Sequence, residues 1–182
     1  MRRGSLARVA GDGRLTEPLR RSQSKKITNQ LTNMSKPLLI LYATVTGNAE
    51  ACAESIAETS RQNGFEPHVW SVEGYEVNLL SNEPTVLFSV STYGEGDPPD
   101  MAVQFWEDLQ KLPFDALRGM NYAIYALGDS TYSDFCGFGK KLDAELSAKG
   151  GQCIAERADN DLDRWCTAVF GALPDLANSA SN

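Results

Sequence analysis

Between residues 37 and 173, short apolar runs alternate with longer stretches whose apolar residues recur every three or four positions. This alternation constrains the fold more than any other feature of the chain. Residues 37–43, PLLILYA, form an unbroken apolar run, the pattern of a parallel strand covered on both faces. Residues 48–63 then place Ala49, Cys52, Ala53, Ile56 and Ala57 on one helical face, and Gly64 supplies the stop. Residues 68–72 and 85–90 read as the second and third strands. A helix beginning near Asp100 turns Ala102, Phe105, Trp106, Leu109 and Leu112 inward. Residues 122–127 make a fourth strand, followed by a helix ending before Gly150 and Gly151, and residues 152–156 make a short fifth strand. In the last helix Leu162, Trp165, Cys166, Val169, Phe170 and Leu173 form an apolar stripe, with Pro174 expected just beyond its end. Strands alternating with helices in this way predict an α/β fold: a five-stranded parallel sheet with helices on both faces, in three layers. Ligands of such sheets bind beyond the carboxyl ends of the strands, where the strand order switches.

Charge divides the chain in two. Residues 1–36 hold nine Lys/Arg against two Asp/Glu, whereas residues 37–182 hold eight against 22. The first 33 residues show neither helical nor strand periodicity and too few large apolar groups to offset the entropy of ordering. Residues 1–35 are therefore expected to be a disordered basic tail and residues 36–178 the folded domain. An arginine-rich, acid-poor start also fits a transit peptide, although no amphipathic arginine face is evident, and Met34 is an alternative start. The acidic domain argues against nucleic acid or an anionic membrane as partner and favours a basic protein. No stretch reaches the length of a membrane span, so a soluble, cytoplasmic protein is expected. Four scattered cysteines and one histidine offer no metal-ligand spacing, and the cysteines are expected to be free thiols. His68 is expected to be a partly buried strand residue without catalytic duty.

Three polar loops follow strands one, three and four. Thr44, Val45, Thr46, Gly47, Asn48 and Ala49 combine two hydroxyls, an amide and a helix start, which taken alone fit either a site for an anion or an ordinary capped helix start. The loop contains no Lys or Arg and no G-x-x-x-x-G-K-[ST], which excludes a P-loop triphosphatase. Ser91, Thr92, Tyr93, Gly94, Glu95 and Gly96 set a tyrosine among small residues, where its ring is free to lie on a flat ligand. Leu127, Gly128, Asp129, Ser130, Thr131 and Tyr132, followed by Phe135, Cys136 and Gly137, set a second tyrosine in the third loop. Two aromatic faces beside a phosphate loop suit a mononucleotide with a large ring.

The first loop resembles the FMN-phosphate loop of flavodoxins. The STYGEGDPP segment and LGDSTY resemble the FMN loops of diflavin reductases, notably the sulfite reductase flavoprotein. The resemblance covers roughly residues 37–176 and implies a flavodoxin-like sheet of order 2-1-3-4-5 with FMN as cofactor. It further implies that Thr44, Thr46, Gly47, Asn48 and Ala49 hold the phosphate, with Val45 in the same loop. Tyr93 and Tyr132 would flank the ring, and Ser91, Thr92, Gly94, Glu95 and Gly96 would line its polar edge. Leu127, Gly128, Asp129, Phe135, Cys136 and Gly137 would complete the pocket. Asp159, in an Asp-Asn-Asp turn, matches the family's acidic segment more loosely, and an ordinary surface turn explains it as well. The implied function is an electron carrier that passes single electrons from an NADPH-dependent flavin reductase to a haem or iron–sulfur protein. The alternatives are the FMN subunit of a reductase assembly such as sulfite reductase and, further off, a quinone reductase of this fold. A phospho-receiver is disfavoured because Thr44 and Thr46 stand where acidic magnesium ligands belong. Glycine at 94 is expected to let its peptide turn toward the reduced ring. The carboxylates of Glu95, Asp97 and Asp129 should disfavour extra negative charge on that ring.

Overall fold

The structure, a computed structural model, describes residues 36–128, 135–158 and 161–179, with side chains up to residue 173. Five parallel strands, β1 (Lys36–Ala43), β2 (Phe65–Ser71), β3 (Thr85–Ser91), β4 (Asn121–Leu127) and β5 (Gln152–Cys153), form one sheet in the order β2-β1-β3-β4-β5. Four α-helices are described: α1 (Asn48–Gln62), α2 (Val103–Lys111), α3 (Gly137–Ala148) and α4 (Leu162–Ser179). Short 3₁₀ turns at Val77–Asn82 and Asp100–Ala102 complete the element order.

The side chains of β1, β3 and β4 alternate between two cores. Leu39, Leu41, Phe88, Val90 and Ile124 pack with Phe105 and Leu109 of α2 and with Phe138, Leu142 and Leu146 of α3. Leu38, Ile40, Leu87, Ala123 and Tyr125 pack with Ala53, Ile56 and Ala57 of α1 and with Trp165, Val169 and Phe170 of α4. Burial on both faces is why these strands read as continuous apolar runs. The register brings Ala43 beside Val90 and Val90 beside Ala126, so β1, β3 and β4 end level. Their following loops therefore open on one edge of the sheet, at the switch between β1 and β3.

Three expectations need correction. His68 is exposed: it shares with Glu66 and Trp70 a face of the edge strand that none of the described helices covers. The cause is the β2–β3 connection, which carries only the 3₁₀ turn where strict alternation would place an α-helix. The last helix does not stop at Pro174 but runs on to Ser179, so proline removes one amide donor without ending it. The fifth strand covers only Gln152–Cys153. Beyond it, pairing resumes at a bridge between Tyr125 and Ala158, five residues past Cys153 but only three past its partner Tyr122. The two extra residues make a bulge. Asp143 of α3 pins it, accepting from the Tyr122 hydroxyl at 2.7 Å and from Arg157 at 3.1 Å.

Candidate functional site

The loop after β1 is organised by one hydroxyl. Thr44 Oγ1 accepts the amides of Gly47 at 2.8 Å and Ala49 at 3.3 Å, curling the chain into the first turn of α1. The amides of Thr46, Asn48 and Glu50 donate to nothing among the described residues, nor do the exposed side chains of Thr46 and Asn48. Free donors at a helix N-terminus, with the helix dipole behind them, fit a phosphate without help from a cation. Glu50, in the first turn of α1, is engaged elsewhere: its carboxylate accepts the Tyr42 hydroxyl at 3.0 Å. Desolvation, then that carboxylate, push the Tyr42 pKa up. Behind the loop, the buried hydroxyl of Ser89 donates to the Ala49 carbonyl at 2.8 Å, tying the start of α1 to β3.

The loop after β3 is held at its base by three backbone and side-chain hydrogen-bonded residues, Thr92, Tyr93 and Asp97. The Thr92 amide donates to the Leu127 carbonyl at 3.0 Å, and the Thr92 hydroxyl accepts the Phe138 amide at 3.3 Å. Tyr93 and Asp97 exchange two backbone hydrogen bonds, of 2.9 and 2.8 Å, that close a hairpin. At its tip Gly94 has φ +50°, and a Cβ there would meet nothing within 4 Å. Tyr93 is 56% exposed, and Val45 on the adjoining loop is 47% exposed. These two loops meet where the Thr44 amide approaches the Met101 sulfur at 3.1 Å. Exposed apolar surface beside unfilled donors is the arrangement a flat ring with a phosphate tail would complete.

Of the third loop, Leu127, Gly128, Phe135 and Cys136 are described; Asp129 and Tyr132 lie outside the described residues, as does Asp159. Gly128 marks where the loop leaves and returns, since a Cβ there would stand 2.7 Å from the Cys136 amide nitrogen. Cys136 is buried, takes a left-handed φ of 55° before α3, and directs its sulfur toward the Ala126 carbonyl at 3.5 Å. Phe135 packs against the α2–α3 core, and Gly137 is buried at the start of α3. The inward-facing Cys136 and Phe135 build the base of the loop.

All four cysteines are free thiols. Burial pushes Cys166 up to about 11 and raises Cys52 and Cys153. Raised thiol pKa values disfavour the nucleophilic thiolate. Sequence reasoning missed Ser89 and Met101. Ser89 reads as one polar residue inside a strand, and Met101 as an ordinary residue of the next turn. Only a serine within an otherwise apolar strand offered any signal, because a buried hydroxyl needs a partner.

With this geometry in view, comparison with known proteins is direct. The flavodoxin family model matches residues 40–167. The chain belongs to the flavodoxin family. FMN is that family's cofactor. Among curated relatives, the sulfite reductase [NADPH] flavoprotein alpha-component of Bacillus subtilis (strain 168) is 40% identical over 154 residues, covering 81% of this chain and 26% of that protein. Its counterpart from Shewanella sp. (strain MR-4) is 33% identical over the same coverage. The chain thus spans about a quarter of the length of these relatives. Among solved structures, the Streptococcus pneumonia TIGR4 flavodoxin aligns with a TM-score of 0.65 and 25% identity, over 79% of this chain and 99% of that one. Oxidised flavodoxin 1 from Bacillus cereus aligns with a TM-score of 0.65 and 21% identity, over 79% and 98%. These solved structures share the fold seen here. No helix among the described residues is long and apolar enough to cross a membrane.

Proposed function

We propose that residues 36–178 form a domain that binds FMN non-covalently where β1, β3 and β4 end, and that it carries electrons singly between a reductase and a redox acceptor. The observation that carries this reading is the pairing of unfilled donors at the start of α1 with the exposed Tyr93 on the next loop. Bound FMN supplies the redox chemistry, accepting one electron or two. Thr46, Gly47, Asn48 and Ala49 hold the phosphate, with Thr44 shaping the loop and keeping its own proton to donate. Tyr93 covers one face of the ring. Tyr132 for the other face, and Asp129 and Asp159 at its edge, rest on the sequence resemblance. Ser91, Thr92, Gly94, Glu95 and Gly96 lie along the polar edge.

Glu95, Asp97 and Asp100 are exposed around the same loop, an acidic rim suited to a basic partner. The donor in this reading is an NADPH-dependent flavin reductase, the acceptor a haem or iron–sulfur protein, and the compartment the cytoplasm. The likeness to sulfite reductase flavoproteins favours a second reading, in which the domain serves as the FMN module of such an assembly. The absorbance spectrum of the purified protein, with release and identification of any flavin, tests the first claim. A colourless protein that stays colourless with added FMN overturns it. Stoichiometric co-purification with a reductase subunit would select the second reading.

A further inference from the structure

A groove of about 640 Å³ lies along the uncovered face of β2, against the segment that joins β2 to β3. Pro37, Leu38 and Leu39 line it from β1, His68 and Trp70 from β2, and Tyr75, Leu79 and Glu83 from the connection. It exists because the β2–β3 crossover carries a 3₁₀ turn. Val77 and Leu80 of that turn are buried in the core, while none of the described residues covers Trp70. Trp70 is 60% exposed and Leu79 45% exposed. Both are large apolar side chains left in water at the mouth of an apolar groove.

Charge and backbone chemistry narrow the occupant. Glu76 and Glu83 also line the groove, no Lys or Arg does, and neither carboxylate has an ion-pair partner among the described residues. Strand addition is disfavoured because Pro67, midway along the edge strand, lacks the amide donor a new strand needs. A small polar ligand would call for convergent buried polar groups, whereas His68 and Glu76 are exposed. We infer that this groove docks a cationic amphipathic segment of a partner protein, one bulky apolar side chain seated against Trp70 and flanking Lys or Arg facing Glu76 and Glu83.

The groove runs from Pro37 of β1 to Trp70, which lies level with Leu41, and the loops of the candidate site begin at Thr44. Leu41, the register partner of Trp70, is three positions before Thr44, about 10 Å at the rise of a strand. A partner seated against Trp70 is held beside the loop edge, and tethering raises its effective concentration there without requiring contacts to the loops themselves.

The test uses the full chain carrying FMN. The probe is a short tryptophan-free amphipathic peptide of lysine and leucine with one phenylalanine, and its control replaces each lysine with glutamate. Binding is read by tryptophan emission and by amide shifts in two-dimensional NMR. The lysine peptide should bind, shift the amides of His68, Trp70 and Leu79, and weaken with salt, while the glutamate peptide should not bind. Trp70→Ala should weaken binding about tenfold or more. Glu76→Lys with Glu83→Lys should weaken it and flatten its salt dependence. These positions are outside the flavin loops, so flavin content and spectrum should stay unchanged, and a colourless protein would count against the FMN reading alone. Equal binding of both peptides, an unchanged Kd in Trp70→Ala, or amide shifts confined to Tyr93 and its neighbours would overturn the inference. So would self-association abolished by Trp70→Ala, which would make a second copy the occupant.

Discussion

The loops after β1 and β3 are neighbours on one sheet edge, yet they are built on opposite plans. The first is stiffened from within: Thr44 takes up two of its amides, and Ser89 fastens the following helix turn to the sheet. What remains free is a fixed set of donors. The second is fastened at its base, through Thr92 and the Tyr93–Asp97 pair, and carries Gly94 in open space. A phosphate keeps its charge and shape through a redox cycle, so a rigid cradle suits it. A ring that gains electrons and protons changes its hydrogen-bonding needs, and a loop that can turn one peptide suits that. In the proposed reading, the contrast separates a part that provides affinity from a part that adjusts potential.

Substitutions can break or sharpen this contrast. The largest effect is expected from Gly128→Ala, where the new Cβ would press on the Cys136 backbone at 2.7 Å. Chemical denaturation should show a loss of about 1–3 kcal/mol, typical of overpacking. Unchanged stability would mean that the base of the third loop is not rigid. Thr44→Val keeps the shape but removes the acceptor for two amides. FMN affinity should fall about tenfold, close to 1.4 kcal/mol, measured by flavin fluorescence. A variant that binds FMN as tightly as the parent would remove the first loop's claim to be an organised cradle.

Gly94→Ala should act differently, because space is available and only φ +50° is strained, a cost of about 1 kcal/mol. Its readout is the gap between the two one-electron potentials of the bound flavin, with phosphate affinity nearly unchanged. An unchanged gap would sink the adjustable-tip reading. The smallest effect is expected from Lys141→Ala, which removes an exposed pair with Asp97 at 3.4 Å. Such surface pairs contribute about 0–1 kcal/mol, so thermal stability should barely move. Partner reduction should instead become more salt-sensitive as the acidic rim gains net negative charge.

Much of this molecule was legible beforehand because its signals are local. The apolar runs of β1, β3 and β4 mark strands covered on both faces, and the stripe from Leu162 to Leu173 marks one face of α4. The chemistry of the first loop was legible for a similar reason, since threonines, a glycine and a helix start lie next to one another. The bulge after Cys153 was not, because it depends on Asp143 and Arg157 meeting from elements fourteen residues apart. The bare face of β2 escaped notice because an alternating strand looks the same whether or not a helix lies over it.

The order of elements, their parallel pairing and the donor character of the loop after β1 were decided by the sequence itself, through periodicity and residue type acting over a few positions. Tertiary structure alone decided which donors stay free, since Thr44 consumes two amides and leaves others unfilled. It also decided that Ser89 and Met101 support the site, and that Trp70 faces a groove instead of a core. Each of these depends on which groups meet across long separations, and a linear pattern carries no record of such meetings.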